Sequence, residues 1–219
     1  MIPTPDLSHL TTADYDKVYE PAEDTFLLLD ALEKDADVLR AAKPSVVLEV
    51  GSGSGCVTAF LSQILGPTNT LYLSTDINSH ACKCTRSTGN RNSVTIESVN
   101  TSFAGPLASR LKNKIDIVIF NPPYVPTGSP ESSEAQFARN IAGAWAGGTS
   151  GMEVTDVFLD VVPDLVSPHG VFYLVALKEN GIPAIQKRMT EKHMDSQIAM
   201  QRRAGKEHLF ILKFIQTQQ

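Results

Sequence analysis

Three cysteines in 219 residues are too few for a disulfide framework, and Cys82-x-Cys84 is not a usual zinc spacing. Cys56, Cys82 and Cys84 read as reduced, structural residues with no metal site, and the histidines show no ligand spacing. No apolar run approaches membrane-spanning length, and the opening Met1-Ile2-Pro3-Thr4-Pro5-Asp6 has no basic flank or apolar h-region. A cytoplasmic or nuclear protein is the expectation. Basic residues are also scarce over most of the chain. Residues 1–177 hold 11 basic and 20 acidic residues and residues 178–219 hold 8 and 4, so a net charge of −5 divides into −9 and +4. That deficit argues against a general nucleic-acid binder, which needs clustered Lys and Arg against phosphates. The C-terminal surplus reads as a solvated basic face.

What remains is ordinary for a globular protein, with 42% hydrophobic and 20% charged residues. The length fits one domain with a full core. Residues 1–14 read as a flexible N-terminal arm and residues 15–219 as the domain.

The most specific stretch is Asn121-Pro122-Pro123-Tyr124. It follows Ile115 to Phe120, an apolar run of strand length rich in β-branched residues. Neither proline has an N–H for a sheet ladder, so the strand stops there and Asn121 is held in extended backbone at its carboxyl end. Ligands sit at that end of the strands in open α/β sheets. The chemistry suited to these atoms is methylation of a planar, weakly nucleophilic nitrogen. The Asn121 carbonyl and the Pro122 main-chain carbonyl can accept its two hydrogens, and Tyr124 can stack on it.

Upstream, Ser45 to Val50 reads as a central strand that runs into Gly51-Ser52-Gly53-Ser54-Gly55 and a helix from Cys56 to Leu65. This is a nucleotide-binding opening, but the spacing is not that of dinucleotide binders. Glu49 stands just before the turn, placed for the charged groups of S-adenosylmethionine. Leu71 to Thr75 reads as the second strand, with Asp76 at its end placed for ribose hydroxyls; a helix-cap role for Asp76 is the alternative, although Asn78 or Ser79 can cap instead. Ala81 to Gly89 (helix), Val94 to Val99 (strand) and Leu107 to Leu111 (short helix) follow. After Tyr124 come a long Gly/Ser/Pro-rich loop to Gly151, a helix from Met152 to Leu165 and a strand from Gly170 to Leu177. A helix from Ile182 to Lys192 and an antiparallel hairpin, Gln197–Gln201 with His208–Phe214, close the chain. Earlier, Pro21 sits where a helix can begin, with Glu23 and Asp24 in its first turn and Phe26, Leu27, Leu28, Leu29 and Leu32 as its buried face.

These motifs resemble those of the amino-methyltransferases with an (Asp/Asn/Ser)-Pro-Pro-(Tyr/Phe/Trp) motif. Within that class, Asn-Pro-Pro-Tyr resembles the HemK-like glutamine methyltransferases that act on translation release factors, in their eukaryotic form. The resemblance runs from Tyr15 to the last strand. It implies a doubly wound, Rossmann-like α/β fold with a seven-stranded, mostly parallel sheet. It also implies S-adenosylmethionine as cofactor and the Gly-Gly-Gln glutamine amide of the class I release factor as target. Tyr15 to Thr25 then covers the cofactor, carrying over Tyr19 and Thr25 as site residues, and Asn121, Pro122, Pro123, Tyr124 and Val125 face the target. The loop with Ala144-Trp145-Ala146-Gly147-Gly148 becomes a lid. One departure stands out: the family's Asp-Leu pair, whose Asp reaches the adenine, is Ser102-Phe103 here, with Asn100 as a possible substitute. The implied strand order puts Val94–Val99 at a sheet edge with no blunting device. The partner it implies there is a small zinc-binding activator subunit, with cover by the N-terminal arm as the alternative. An N6-adenine or RNA methyltransferase, a lysine methyltransferase and a non-enzymatic binding module are the competing functional readings.

Overall fold

The computed structural model describes residues 1–125 and 151–217. Its frame is one sheet of seven strands: β1 (Val46–Val50), β2 (Leu71–Asp76), β3 (Ile96–Asn100), β4 (Ile115–Phe120), β5 (Val166–Leu177), β6 (Met194–Ala204) and β7 (Glu207–Gln216). Their spatial order is β3-β2-β1-β4-β5-β7-β6. The first five run parallel. β7 is antiparallel to both β5 and β6, so within the closing hairpin β7 alone opposes the rest.

The chain builds β1, β2 and β3 outward in one direction, then returns to lay β4 on the other side of β1. The order therefore reverses between β1 and β4, and a crevice opens beyond their carboxyl ends. Gly51 continues β1 and Asn121 continues β4, so both enter that crevice. The sequence reason is the apolar character of β4 on both faces. Ile117 and Ile119 join one core layer and Val118 and Phe120 the other, all nearly inaccessible, as a central parallel strand requires.

Helices α1 (Thr12–Tyr15), α2 (Glu23–Lys34), α3 (Ala36–Ala42), α4 (Cys56–Leu65), α5 (Ser79–Arg91), α6 (Ala108–Leu111), α7 (Glu153–Leu165) and α8 (Ile182–Glu191), with 3-10 turns at Gly105–Leu107 and Lys178–Asn180, complete the described elements. α2 begins at Glu23, two residues after Pro21, with no side-chain cap. Leu27, Leu28, Ala31 and Leu32 are fully buried, and truncating any of these leucines should cost roughly 2–5 kcal/mol. Phe26, expected in that face, is 38% exposed instead. It shares the outer stripe with Asp30 and Glu33, four and seven residues on, and the 3.6-residue period turns it to solvent.

β3 starts at Ile96; Val94, expected in the strand, is still core-facing, with its N–H on the Gly89 carbonyl at 2.9 Å. β5 is longer than expected, because Val166 already pairs with Ile115 before an irregular step in the ladder. The N-terminal residues reach α5 and α2. Asp6 accepts from Arg91 at 2.7 Å and exchanges two bonds with the Asn92 amide, while Ile2 N–H donates to Glu33. None of their hydrogen bonds, among the described residues, goes to β3.

The charge asymmetry is largely resolved by pairing. Lys213 of β7 is buried against Asp35 at 2.7 Å, Arg202 meets Asp30 at 2.5 Å, and Arg188 and Lys192 converge on Asp160. The surplus cations of the C-terminal part answer acids of α2, α7 and the α2–α3 link.

Candidate active site

The crevice is a cavity of about 470 Å³, within the range of small-molecule and cofactor sites. Its floor is the turn after β1. Gly51 and Gly53 take φ values of +69° and +51°, where a side chain would be strained, and a Cβ on Gly53 would meet nothing within 4 Å. The turn is thus shaped by backbone angle and open toward a ligand. Glu49 below it is 3% exposed. It accepts the Thr58 N–H at 3.1 Å and the Thr58 hydroxyl. Burial pushes its carboxyl up to about 8, and those two bonds only partly oppose the shift. A buried acid at a cavity wall, met among the described residues only by neutral donors, suits a cationic ligand.

Asp76 lies across the turn. Its Oδ2 accepts the Gly53 N–H at 3.0 Å and its Oδ1 the Asn78 N–H at 2.8 Å, and burial raises its carboxyl. The cap of α5 belongs to Asn78, whose Oδ1 accepts the His80 N–H at 2.9 Å, so Asp76 is not needed for capping. Each Asp76 oxygen keeps acceptor capacity for a vicinal diol. Ser102 and Phe103 line the same cavity, as does Thr101, which sequence reading missed. Phe103 has φ of +48° and stacks on Phe158 at 5.3 Å. Asn100 donates its amide to the Asp76 carbonyl at 2.9 Å and is not in the cavity lining.

At the other end stands Asn121. Asn121, Pro123, Tyr124 and Val125 line the cavity, whereas Pro122 is buried and its ring is not in the lining. The organising group is one that sequence reading gave only a helix-dipole role. Asp24, 3% exposed, receives five donors. Its Oδ2 accepts from Asn121 Nδ2 at 2.8 Å and the Tyr124 hydroxyl at 2.9 Å. Its Oδ1 accepts from the Tyr19 hydroxyl at 3.1 Å, the Thr25 N–H at 2.7 Å and the Thr25 hydroxyl at 3.4 Å. A carboxylate offers only acceptors, so it fixes which end of the Asn121 amide faces it. The Asn121 Oδ1 is then left buried with no partner among the described residues. Burial and the Asp24 charge raise both the Tyr19 and Tyr124 phenols, which remain neutral donors.

The exit of the motif is pinned too. Asn180 Nδ2 donates to the Tyr124 carbonyl at 3.3 Å while its Oδ1 accepts the Leu177 N–H at 2.7 Å. Tyr19, Thr25, Glu49, Gly51, Gly53, Asp76, Ser102, Phe103 and Asn121 are therefore brought to one cavity. The lid expected over 125–151, Trp145 included, falls almost entirely outside the described residues. Asp14, His80 and Cys84 also converge, with ligand atoms within 4.8 Å of one another. His80 and Cys84 are four apart on α5, a helical spacing that sequence reading passed over. Asp14 is already occupied there by Thr11 and by His80 at 2.9 Å.

A doubly wound sheet with a glycine turn after β1, an acid after β2 and Asn-Pro-Pro-Tyr after β4 defines a class I methyltransferase. The family profile "Methyltransferase small domain" matches residues 22–142. The human Methyltransferase HEMK2 is 47% identical over 214 residues, spanning 98% of this chain and 97% of that protein. The eRF1 methyltransferase catalytic subunit mtq2 of Schizosaccharomyces pombe is 42% identical, spanning 97% and 95%. Among solved structures, E. cuniculi Mtq2 in its complex with Trm112, described as responsible for methylating eRF1, superposes with a TM-score of 0.67 at 28% identity, covering 91% of this chain and 99% of that one. A Thermus thermophilus 16S rRNA methyltransferase with AdoMet and guanosine gives 0.66 at 17%, covering 90% and 44%, a likeness of fold. The chain belongs to the methyltransferase small-domain family, in the group of the HEMK2 and Mtq2 proteins.

Proposed function

We propose that this chain transfers a methyl group from S-adenosylmethionine to the glutamine side-chain amide in the Gly-Gly-Gln motif of the eukaryotic class I release factor. The observation that carries the reading is the Asn121 amide, held by Asp24 so that an unpartnered carbonyl belongs to a residue lining the cavity. The names of the relatives support the substrate.

The residues present fit the cofactor. Glu49 is a buried acid without a cation among the described residues, Asp76 retains acceptor capacity for the ribose, and Ser102 and Phe103 stand where adenine is expected. When bound, the cofactor supplies an electrophilic sulfonium methyl. Asn121 Oδ1 and the Pro122 main-chain carbonyl accept the two amide hydrogens of the target, aligning its nitrogen and stabilising the positive charge that develops there. Tyr124, its hydroxyl tied to Asp24, presents its ring to the planar amide. With the cofactor held there, the amide nitrogen would take up the methyl group, the C–S bonding pair would stay on sulfur, and one N–H proton would leave to solvent. The chain needs no strong base for this step.

The partner of this chain is a small Trm112-like subunit seated along β3 and binding zinc. Two edges exist in the sheet. β6 carries a bulge near Ile198 and the charges of Arg202 and Arg203, both devices that discourage pairing. β3 has no bulge and a single charge, Glu97; the Arg86 guanidinium on the Ser98 carbonyl at 3.2 Å is the contact an added strand would displace. The test is co-expression with such a subunit. Rescue of solubility and activity supports the assignment, and a monodisperse, fully active isolated chain overturns it.

A further inference from the structure

Outside the crevice, three side chains of metal-binding type meet in one place among the described residues. Asp14 of α1 and His80 and Cys84 of α5 offer a carboxylate oxygen, an imidazole nitrogen and a sulfur, all within 4.8 Å of one another. His80 and Cys84 stand about one helical turn apart, so they share a face of α5, and α1 lays Asp14 on that face.

The surroundings prepare each ligand. Thr11 donates its N–H and its hydroxyl to Asp14 Oδ2, at 2.9 and 2.7 Å, which leaves Oδ1 turned to His80 Nε2 at 2.9 Å. The Cys84 thiol, 4% exposed, hydrogen-bonds no other residue among those described and packs with Val18, Ala81, Leu10 and Tyr15. The Asp14 and His80 side chains stay 26% and 28% exposed, so an ion can enter from solvent. Cys82 turns away to the Asp76 carbonyl at 3.7 Å and takes no part.

We propose that Asp14, His80 and Cys84 form a zinc site that staples α1 onto α5. Zinc accepts carboxylate, imidazole and thiolate at about 2.0–2.3 Å, and three such ligands leave a fourth position for water. At those bond lengths the ligands of a tetrahedral ion lie about 3.3–3.8 Å apart, so the widest separation here closes by about 1 Å as α1 settles. The Asp14–His80 hydrogen bond gives way to two metal bonds, and the Cys84 thiol loses its proton to solvent. Sulfur and imidazole disfavour the harder magnesium and calcium ions. The place matters because α1 leads into the wall of the crevice. Lys17, Val18 and Tyr19 line that wall, and the Lys17 carbonyl is already held by the Asn78 amide at 2.7 Å. The metal adds a second tie, further along α5.

The test titrates cobalt(II), a spectroscopic stand-in for zinc, into the chain with the proposed Trm112-like subunit after dialysis against a chelator. Cobalt on sulfur gives a near-ultraviolet charge-transfer band, and thiolates of the subunit cancel between wild type and variant. Wild type should show this band in excess of Cys84→Ser, and zinc should bleach the excess. Losing even an outer partner weakens metal sites about ten- to a hundredfold. His80→Ala and Asp14→Asn should therefore each lower cobalt affinity at least about tenfold while keeping the band at saturation. Equal bands in wild type and Cys84→Ser, or an unchanged affinity in either other variant, would overturn the site. If Cys84→Ser fails to fold, the affinities of His80→Ala and Asp14→Asn decide alone. The readout needs neither cofactor nor methyl transfer, so it stands apart from the reading above.

Discussion

Asp24 grips the amide of Asn121 at 2.8 Å across 97 positions of sequence, and this bond decides which end of the asparagine remains for the substrate. Asp24→Asn should therefore damage catalysis more than folding. An amide at 24 can donate as well as accept, so Asn121 is free to present its NH2 where a carbonyl is required. We expect kcat to fall at least about tenfold, equivalent to roughly 1.4 kcal/mol, with an intact thermal transition. A variant with unchanged kcat removes Asp24 from its positioning role.

Asn121→Ala deletes the acceptor itself. Losing one aimed polar contact at a reacting centre costs roughly 2.7–4 kcal/mol, about a hundred- to a thousandfold in rate. Cofactor affinity, measured by calorimetry, should stay close to wild type. A single-turnover loss below about tenfold would show that Asn121 is not the orienting group.

Much of this site was legible because its parts are local. A strand followed at once by Gly51-Ser52-Gly53, or by Asn121-Pro122-Pro123-Tyr124, carries its position in the fold with it. Asn78, at hand in the sequence, caps α5 and leaves the Asp76 side chain to the cavity. Asp24 was not legible as an organiser, because its partners Asn121 and Tyr124 meet it only after the sheet is assembled. The Asn180 bond to the Tyr124 carbonyl was hidden for the same reason. Phe26 shows the converse error, a hydrophobic residue assigned to the core on type when its helical phase turns it outward. The bonds of Asp6 and Ser8 to α5 likewise depend on contacts more than eighty residues away.

Asp76 should contribute to cofactor binding through charge-assisted bonds to the ribose. Asp76→Ala is expected to weaken that affinity by roughly 1.5–3 kcal/mol. Unchanged affinity by calorimetry would leave Asp76 with only its structural bonds to Gly53 and Asn78.

Glu49 makes the stability of the cofactor-free protein depend on pH. Its carboxyl is raised from 4.5 in the reference state to about 8 in the fold. The folded protein therefore holds a proton that the unfolded chain has lost anywhere between those values, and stability declines as pH rises through that window. Denaturant midpoints between pH 5 and pH 8 should fall more steeply for wild type than for Glu49→Gln, whose side chain cannot ionise. Parallel profiles would contradict the assignment.

Asp35 joins Lys213 at 2.7 Å and the Tyr173 hydroxyl at 2.6 Å, tying the α2–α3 link to the sheet. Lys213 is buried and Asp35 partly so, and removing the acid strands the ammonium, so Asp35→Ala should destabilise by about 1–3 kcal/mol. Chemical denaturation showing a loss under about 1 kcal/mol would mean that Lys213 finds water or another acceptor instead.

The most direct measurement is to incubate the chain, together with the proposed Trm112-like subunit, with methyl-labelled cofactor and the eukaryotic class I release factor, then map the product by peptide mass spectrometry. The expected result is one methyl group on the glutamine of Gly-Gly-Gln, absent when Asn121→Ala replaces the wild-type chain. Label confined to a lysine or to added nucleic acid, or an unmodified glutamine beside a cofactor-binding enzyme, would contradict it.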